Sequence, residues 1–325
     1  MAEIAVLGAG AWGTALANQA ARSGGNVTLW ARDVLHVREM HETRENRRRL
    51  PGVALAANVT PSANLLALSS AQLVLLAVPA QAFRGLLESV ALVLRPSVPL
   101  VICAKGIERG TGVFLSDIVA DILPQNPVAV LSGPSFAQDL AKSLPTAVTL
   151  ATHHAATLEM VLAALAAPYF RMYHSTDVRG VEIGGAAKNT IAIACGIAAG
   201  KQLGASAQAA LVARGFAELA RFGRAFGARA ETLMGLSGLC DLVLTCNSPQ
   251  SRNFAYGFAL GAGQIQTKTG VVEGVQTASA LVAMARARGV DMPIASAVDS
   301  ILKGTIDIDA SIDALLARPS RSEDS

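Results

Sequence analysis

Along its first half, the chain alternates short, continuous apolar runs with stretches whose apolar positions recur at helical spacing. The runs are 4–7 (IAVL), 26–30 (NVTLW), 72–79 (QLVLLAVP), 99–106 (PLVICAKG) and 127–134 (PVAVLSGP). Runs of this length that end in Pro, Gly or a charged residue suit parallel strands buried on both faces. Helical patterns lie between them over 14–21, 82–94 and 112–122. The alternation predicts an α/β fold: a doubly wound, Rossmann-type parallel sheet, with ligands at the carboxyl ends of its strands. Beyond about residue 180 alanine and glycine rise and the β-branched runs thin out. Helices are predicted over 186–199, 205–226, 254–260, 276–288 and 294–302. The expected organisation is therefore a dinucleotide-binding domain over 1–180, a mostly α-helical substrate and catalytic domain over 181–318, and a polar tail over 319–325.

The first predicted strand runs straight into Gly8, Gly10 and Gly13 (GAGAWG) and then into a helix. Strand, glycine turn and helix are the context in which G-x-G-x-x-G binds a dinucleotide. Gly8 makes the sharp turn, Gly10 lets the backbone approach a pyrophosphate, and Gly13 lets the helix pack against the strand. The helix N-terminus adds unpaired N–H groups and a positive dipole end. At the end of the second strand a carboxylate suits the ribose hydroxyls of NAD(H), whereas an arginine suits the 2′-phosphate of NADP(H). Arg32 stands where that choice is made and favours NADP(H); Asp33, one residue on, keeps NAD(H) open.

Bulk composition narrows the class. The chain has 325 residues, 52% apolar and 16% charged, which is enough apolar material for two cores. A net charge of +3 does not argue for nucleic acid. Arg44, Arg47, Arg48 and Arg49 form a short basic run, but Glu42 and Glu45 interrupt it and no aromatics are interleaved, so it reads as a solvated helix end. The opening MAEIAVLGAG lacks a basic n-region and is not read as a signal peptide. The longest uncharged stretch, 58–83, is broken by Pro61 and Pro79 and does not read as a membrane span. Cys103, Cys195, Cys240 and Cys246 show no C-x-x-C pairing. They fit free thiols in a reducing cytoplasm, and no metal is expected. A homodimer is one assembly this reading allows.

Isolated polar residues in apolar surroundings mark the candidate chemistry. Lys105 ends a predicted strand, where ligands bind in this layout. Lys188, beside Asn189 in GGAAKNTIAIACGIAAG, lies in a small-residue helix apolar on all sides. A lysine there is costly to bury and fits a proton donor or a carbonyl-polarising cation. Asp241, in GLSGLCDLVLTC, could orient or neutralise such a lysine. Ser251, Arg252 and Asn253 open a predicted helix and combine a cap hydroxyl, a bidentate cation and an amide, a set suited to a phosphate monoester. Gly133 and Ser135 form a turn after a strand, and Glu273 is a lone acid between glycines.

With those residues placed, the chain closely resembles the bacterial-type NAD(P)-dependent glycerol-3-phosphate dehydrogenase family from about residue 3 to about residue 317. The motifs are GAGAWGTALA (8–17), LPGV (50–53), VPAQAFR (78–84), AKGIE (104–108), SGPSFA (132–137), GAAKNTIAIA (185–194), DLVLTCNSPQSRN (241–253) and VVEG (271–274), in that order. The resemblance implies reversible reduction of dihydroxyacetone phosphate to sn-glycerol 3-phosphate, feeding glycerophospholipid synthesis. It implies that Gly8, Gly10, Trp12 and Gly13 line the cofactor pyrophosphate, with Arg32 near the adenosine ribose and Lys105 between cofactor and substrate. It places Gly133 and Ser135 on the substrate, Ala137 on the cofactor, and Lys188 as the acid–base residue. Asp241, Ser251, Arg252 and Asn253 would hold substrate, with Arg252 also near the cofactor. Val271 and Glu273 would reach the cofactor from the second domain. Two departures stand out: Cys240, where the family has glycine, bears on the placement of Asp241. Arg49, where the family has tyrosine or phenylalanine, is expected to affect only the surface.

Overall fold

The computed structural model describes residues 1–264 and 271–319; most of the expected tail, from 320 on, lies outside them. The first half runs β1 (Glu3–Leu7), α1 (Ala11–Arg22), β2 (Asn26–Trp30), α2 (Val34–Thr43), β3 (Val59–Ser62), β4 (Leu73–Leu76), α3 (Phe83–Val90), β5 (Leu100–Ile102), α4 (Leu115–Ile122), β6 (Val128–Ser132), α5 (Ala137–Ala141), β7 (Thr146–Thr152), α6 (Ala155–Leu165) and β8 (Phe170–Ser175). The strands form one sheet in the order β3-β2-β1-β4-β5-β6-β7-β8. Strand β1 shows why its run is continuously apolar. Ile4 and Val6 enter the core on one face of the sheet, Ala5 and Leu7 the core on the other.

The sheet is the expected doubly wound, mostly parallel one; one pairing departs, since β7 runs antiparallel to β6, with Val130 opposite Ala151 and Ser132 opposite Thr149. The connection through α5 turns the chain back without a crossover, and this pairing needs none. Strands β3, β7 and β8 were not anticipated. TAVTLAT and FRMYHS mix Thr, Arg and His into their runs, so no continuous apolar signal marks them.

The second half is helical: α7 (Val178–Gly200), α8 (Ala205–Ala225), α9 (Ala230–Met234), a π-helical turn (Leu236–Cys240), α10 (Asp241–Cys246), α11 (Arg252–Gly261), α12 (Glu273–Ala287), α13 (Pro293–Leu302) and α14 (Ile308–Leu316). The expected boundary at 180/181 falls in the first turn of α7. That helix starts where Asp177 accepts a hydrogen bond from the Gly180 amide at 2.8 Å, leaving one helix-start donor satisfied. Among the described residues α7 is the helix long and apolar enough to cross a membrane, yet its most apolar window is 83% buried within the protein. It is the central helix of this half, as its lack of a polar face predicts. Gly196 and Gly200 of α7 face the backbone of Phe254 and Phe258, while Gly257 and Gly261 of α11 face that of Ile193 and Ile197. A Cβ at any of the four would strike opposing backbone, so the two helices cross at close range. That contact carries Lys188 and Arg252 on adjoining helices.

Candidate active site

The glycine turn is built by backbone alone. Gly8 has φ +113°, and its amide donates to the Trp30 carbonyl at 3.0 Å. A Cβ at Gly8 would meet the Ala77 carbonyl, and one at Gly13 would strike the Gly8 carbonyl oxygen. Gly10 caps α1 without a side-chain bond, and a Cβ there would meet nothing within 4 Å. Two of the glycines thus serve packing, and the third leaves open space at a helix N-terminus, where a pyrophosphate fits. Trp12 Nε1 is buried without a partner on the same turn. At the start of α12, Glu273 Oε2 and Thr277 Oγ1 are also buried without a partner among the described residues, and a Cβ at Gly106 would come within 3.6 Å of both. Unpaired polar atoms along this edge are what a bound dinucleotide would satisfy. Glu273 is pushed up to about 7, because burial outweighs the nearby Arg252 charge and the Ala80 amide.

The chemistry-bearing cluster gathers three chain segments. Lys105, just past β5, donates to the Gly133 carbonyl at 3.1 Å and pairs with Asp241 Oδ2 at 2.7 Å. Lys188 of α7 pairs with the other carboxylate oxygen, Asp241 Oδ1, at 2.6 Å. One carboxylate therefore bridges two ammonium groups. The side chains of Lys188 and Asp241 are 6% and 2% exposed, and that of Lys105 is 19% exposed. Lys188 is held down to about 8: burial disfavours its charge most, the Asp241 carboxylate opposes this, and Lys105 adds to the lowering. Lys188, enclosed by the helical half, can thus give up its proton not far above neutral pH.

Thr245 is a member of this cluster that the sequence reading missed. Lys188 Nζ donates to Thr245 Oγ1 at 2.7 Å, and that hydroxyl donates to the Asp241 backbone carbonyl at 2.6 Å. The available signal was its spacing: Asp241 and Thr245 are four apart at the start of α10, hence on one helix face. Cys240 is exposed, and Asp241 beside it contacts both lysines.

The remaining candidates surround the cluster. Gly133 has φ +152° and lies so close to Val148 that a side chain would not fit. Ser135 Oγ donates to the Gly133 carbonyl at 3.1 Å, the same oxygen that Lys105 contacts. Ala137 opens α5. Ser251 caps α11 by accepting from the Phe254 amide at 3.2 Å, leaving its own proton to donate. Arg252 is exposed at the first turn of α11 and has no hydrogen-bond partner among the described residues. Asn253 is committed to the scaffold: Nδ2 donates to Asn189 Oδ1, and Oδ1 accepts from the Gly274 amide, both at 2.9 Å. It ties α11 to α7 and to the start of α12, and keeps one amide proton to offer. Val271 lies two residues before α12 and is 41% exposed.

At the adenosine end, Arg32 is exposed just past β2. Asp33 caps α2, accepting from the Leu35 amide at 2.9 Å and the His36 amide at 3.2 Å. The arginine run 44–49 does follow the end of α2, but it is more than a solvated helix end. Arg44 donates to the Val59 and Ala56 carbonyls. The buried Asn46 donates to the Ala9 carbonyl at 3.0 Å and to Thr14 Oγ1 at 2.7 Å, so the turn is fastened onto the glycine loop. Among the described residues no group of three His, Cys, Asp or Glu is placed to hold a metal.

Comparison with known proteins identifies the family. The chain matches the N-terminal model of the NAD-dependent glycerol-3-phosphate dehydrogenases over residues 3–158 and the C-terminal model over 177–313. It is 59% identical over 321 residues to a glycerol-3-phosphate dehydrogenase [NAD(P)+] of Azorhizobium caulinodans, covering 98% of each chain. It is 57% identical over 325 residues to the protein of that name from Beijerinckia indica, covering 98% of this chain and 97% of the other. Among solved structures, glycerol-3-phosphate dehydrogenase from Coxiella burnetii superposes with a TM-score of 0.94 at 38% identity, over 98% of this chain and 99% of that one. Glycine loop, bridged lysines and helical half thus belong together, and the chain is a member of the NAD-dependent glycerol-3-phosphate dehydrogenase family.

Proposed function

We propose that the chain catalyses the reversible NAD(P)H-dependent reduction of dihydroxyacetone phosphate to sn-glycerol 3-phosphate, supplying glycerophospholipid synthesis in the cytoplasm. The observation that carries the reading is the single carboxylate, Asp241, bridging Lys188 and Lys105 where the carboxyl ends of the strands meet α7. Residues 1–180 serve the dinucleotide and 181–318 bring the acid–base group. A reduced nicotinamide, once bound, supplies the hydride. Negative charge then grows on the ketone oxygen, and an ammonium there both stabilises it and donates the proton. Lys188 takes this role, since burial leaves it close to neutrality near pH 8. Asp241 fixes the direction of its Nζ, and Thr245 accepts a second of its three protons. Lys105, with the Gly133 and Ser135 turn, lines the substrate side.

Arg252 is the phosphate ligand in this reading. It is exposed, has no hydrogen-bond partner among the described residues and stands at a helix N-terminus, with Ser251 and Asn253 each keeping a proton to donate. Phosphate binding there positions the carbonyl against Lys188, so binding energy from the remote end of the substrate serves the reacting end. Gly8, Gly10, Trp12 and Gly13 hold the pyrophosphate, and Ala137, Val271 and Glu273 complete the cofactor's surroundings. NADP(H) is the preferred cofactor because Arg32, just past β2, carries a charge with no ion-pair partner among the described residues. A homodimer is the proposed assembly, to be checked by light scattering. The direct test is oxidation of NADPH, and separately of NADH, by the purified protein with dihydroxyacetone phosphate, with Lys188→Ala beside it. Turnover in the wild type that is largely lost in the variant supports the reading. No turnover from folded protein that still binds NADPH overturns it.

A further inference from the structure

Asp33 and the arginine turn pose a question that the dinucleotide reading leaves open. Asp33, one residue past Arg32, is the carboxylate that kept NAD(H) open, yet its atoms are otherwise engaged. Oδ1 accepts the Leu35 and His36 amides that start α2. Oδ2 pairs with Arg48 Nη1 at 3.0 Å. Arg48 is held a second time, with Nε donating to Glu39 Oε2 at 2.6 Å. Two carboxylates, from α2 and its cap, thus direct a surface arginine before any anion binds, which lowers the ordering cost of binding one.

The turn that carries Arg48 is fixed relative to the cofactor loop. Asn46, fully buried, donates to the Ala9 carbonyl inside the glycine motif and to Thr14 Oγ1, and its Oδ1 faces His36 Nε2 at 2.8 Å. Its amide oxygen and nitrogen thereby connect α2, the turn and the pyrophosphate loop. Two residues later Arg48 reaches Asp33, the cap of α2, which follows Arg32 directly in the chain. Arg32 and Arg49 have no ion-pair or hydrogen-bond partner among the described residues.

We propose that Arg48, poised by Asp33 and Glu39, joins Arg32 in holding the adenosine 2′-phosphate, and that Asp33 is a positioning residue for Arg48 rather than a ribose ligand. The proposal rests on the dinucleotide reading above. It replaces the expectation that the arginine run is only a solvated helix end. Two guanidinium groups can offer a dianionic phosphate several charge-assisted hydrogen bonds in fixed directions, which a ribose hydroxyl does not call for.

The test is equilibrium binding rather than turnover. Isothermal titration would give Kd for NADP+, NAD+, 2′,5′-ADP and 5′-ADP with wild type, Arg48→Ala, Arg48→Lys and Asp33→Ser. Serine keeps a cap for α2 but cannot pair with Arg48. Arg48→Ala is expected to weaken NADP+ and 2′,5′-ADP about tenfold or more, the size of a lost hydrogen bond to a charged group. NAD+ and 5′-ADP should be nearly unchanged. Arg48→Lys should recover part of the loss. Asp33→Ser should weaken NADP+ less than Arg48→Ala does and leave NAD+ alone. An unchanged ratio of NADP+ to NAD+ affinity in Arg48→Ala overturns the role of Arg48. Loss of NAD+ binding in Asp33→Ser overturns the positioning role and restores Asp33 as a ribose ligand. Wild-type protein that binds neither dinucleotide removes the underlying cofactor reading, which is a distinct result.

Discussion

The two ends of the site are made by different means. The glycine turn is mostly a local object: twelve consecutive residues, 6–17, supply its glycines and helix start, and Trp30, Asn46 and Ala77 brace it from outside. The lysine cluster is a distributed object, in which Lys105, Lys188, Asp241 and Thr245 meet only because a sheet edge, the central helix and α10 pack together. A local site built of backbone tolerates most side-chain changes but not added volume. A distributed site built of charge tolerates little, since its members satisfy one another and Lys188 and Asp241 are nearly closed to water.

That contrast can be pressed by mutation, starting where the loss should be largest. Lys188→Ala should lower kcat for ketone reduction by about 10²- to 10⁴-fold, the usual contribution of a placed acid. Steady-state rates together with an intact NADPH titration would check it. Asp241→Asn should come next, because it leaves Lys188 buried without its counter-charge. Removing one partner of a buried pair costs about 3–5 kcal/mol, to be read from urea unfolding. A Lys188→Met, Asp241→Leu double variant should be inactive yet recover much of that stability. If it is no more stable than Asp241→Asn alone, the cluster is not the electrostatic unit described here.

At the other end, Gly13→Ala should cost about 1–3 kcal/mol, since its methyl group would drive into the Gly8 carbonyl. Gly10→Ala should leave stability nearly unchanged, because a Cβ there meets open space, and should act only on dinucleotide affinity. Equal losses of stability in the two variants would break the distinction between a packing glycine and a binding one.

The smallest effects concern protonation. The rate of ketone reduction should fall as pH rises through about 8, where Lys188 loses the proton it donates. Thr245→Val removes an acceptor that favours the charged form, and should move that limb of the kcat profile to lower pH. Stability runs the other way. The folded value of Lys188 lies below the ordinary 10.5, so between about 8 and 10.5 the unfolded chain binds more protons. This group's contribution to stability therefore rises with pH across that window. Denaturant midpoints of wild type and Lys188→Met at pH 7.5 and 10 would test the sign.

Much of this was legible because its causes are local. Continuous apolar runs mark β1, β2, β4, β5 and β6, since a strand covered on both faces has no polar face to show. The glycines carry their own geometry, and a lone lysine in an apolar helix declares its cost of burial. The strands missed, β3, β7 and β8, are those whose sequences mix polar residues, and the reversed β7 depends on how α5 turns the chain. Thr245 was missed because a threonine in a helix has no charge to draw attention. Asn46 was missed because its partners lie 32 and 37 residues away.

The sequence by itself determined which groups are costly to bury and which turns need glycine, because both follow from a residue's own chemistry and its nearest neighbours along the chain. Only the tertiary structure decided that a single carboxylate serves two lysines, that Lys188 comes down to about 8, and that Asp33 faces Arg48. Those outcomes depend on distances of a few ångströms between segments far apart in sequence, and Coulomb and desolvation energies change steeply over just such distances.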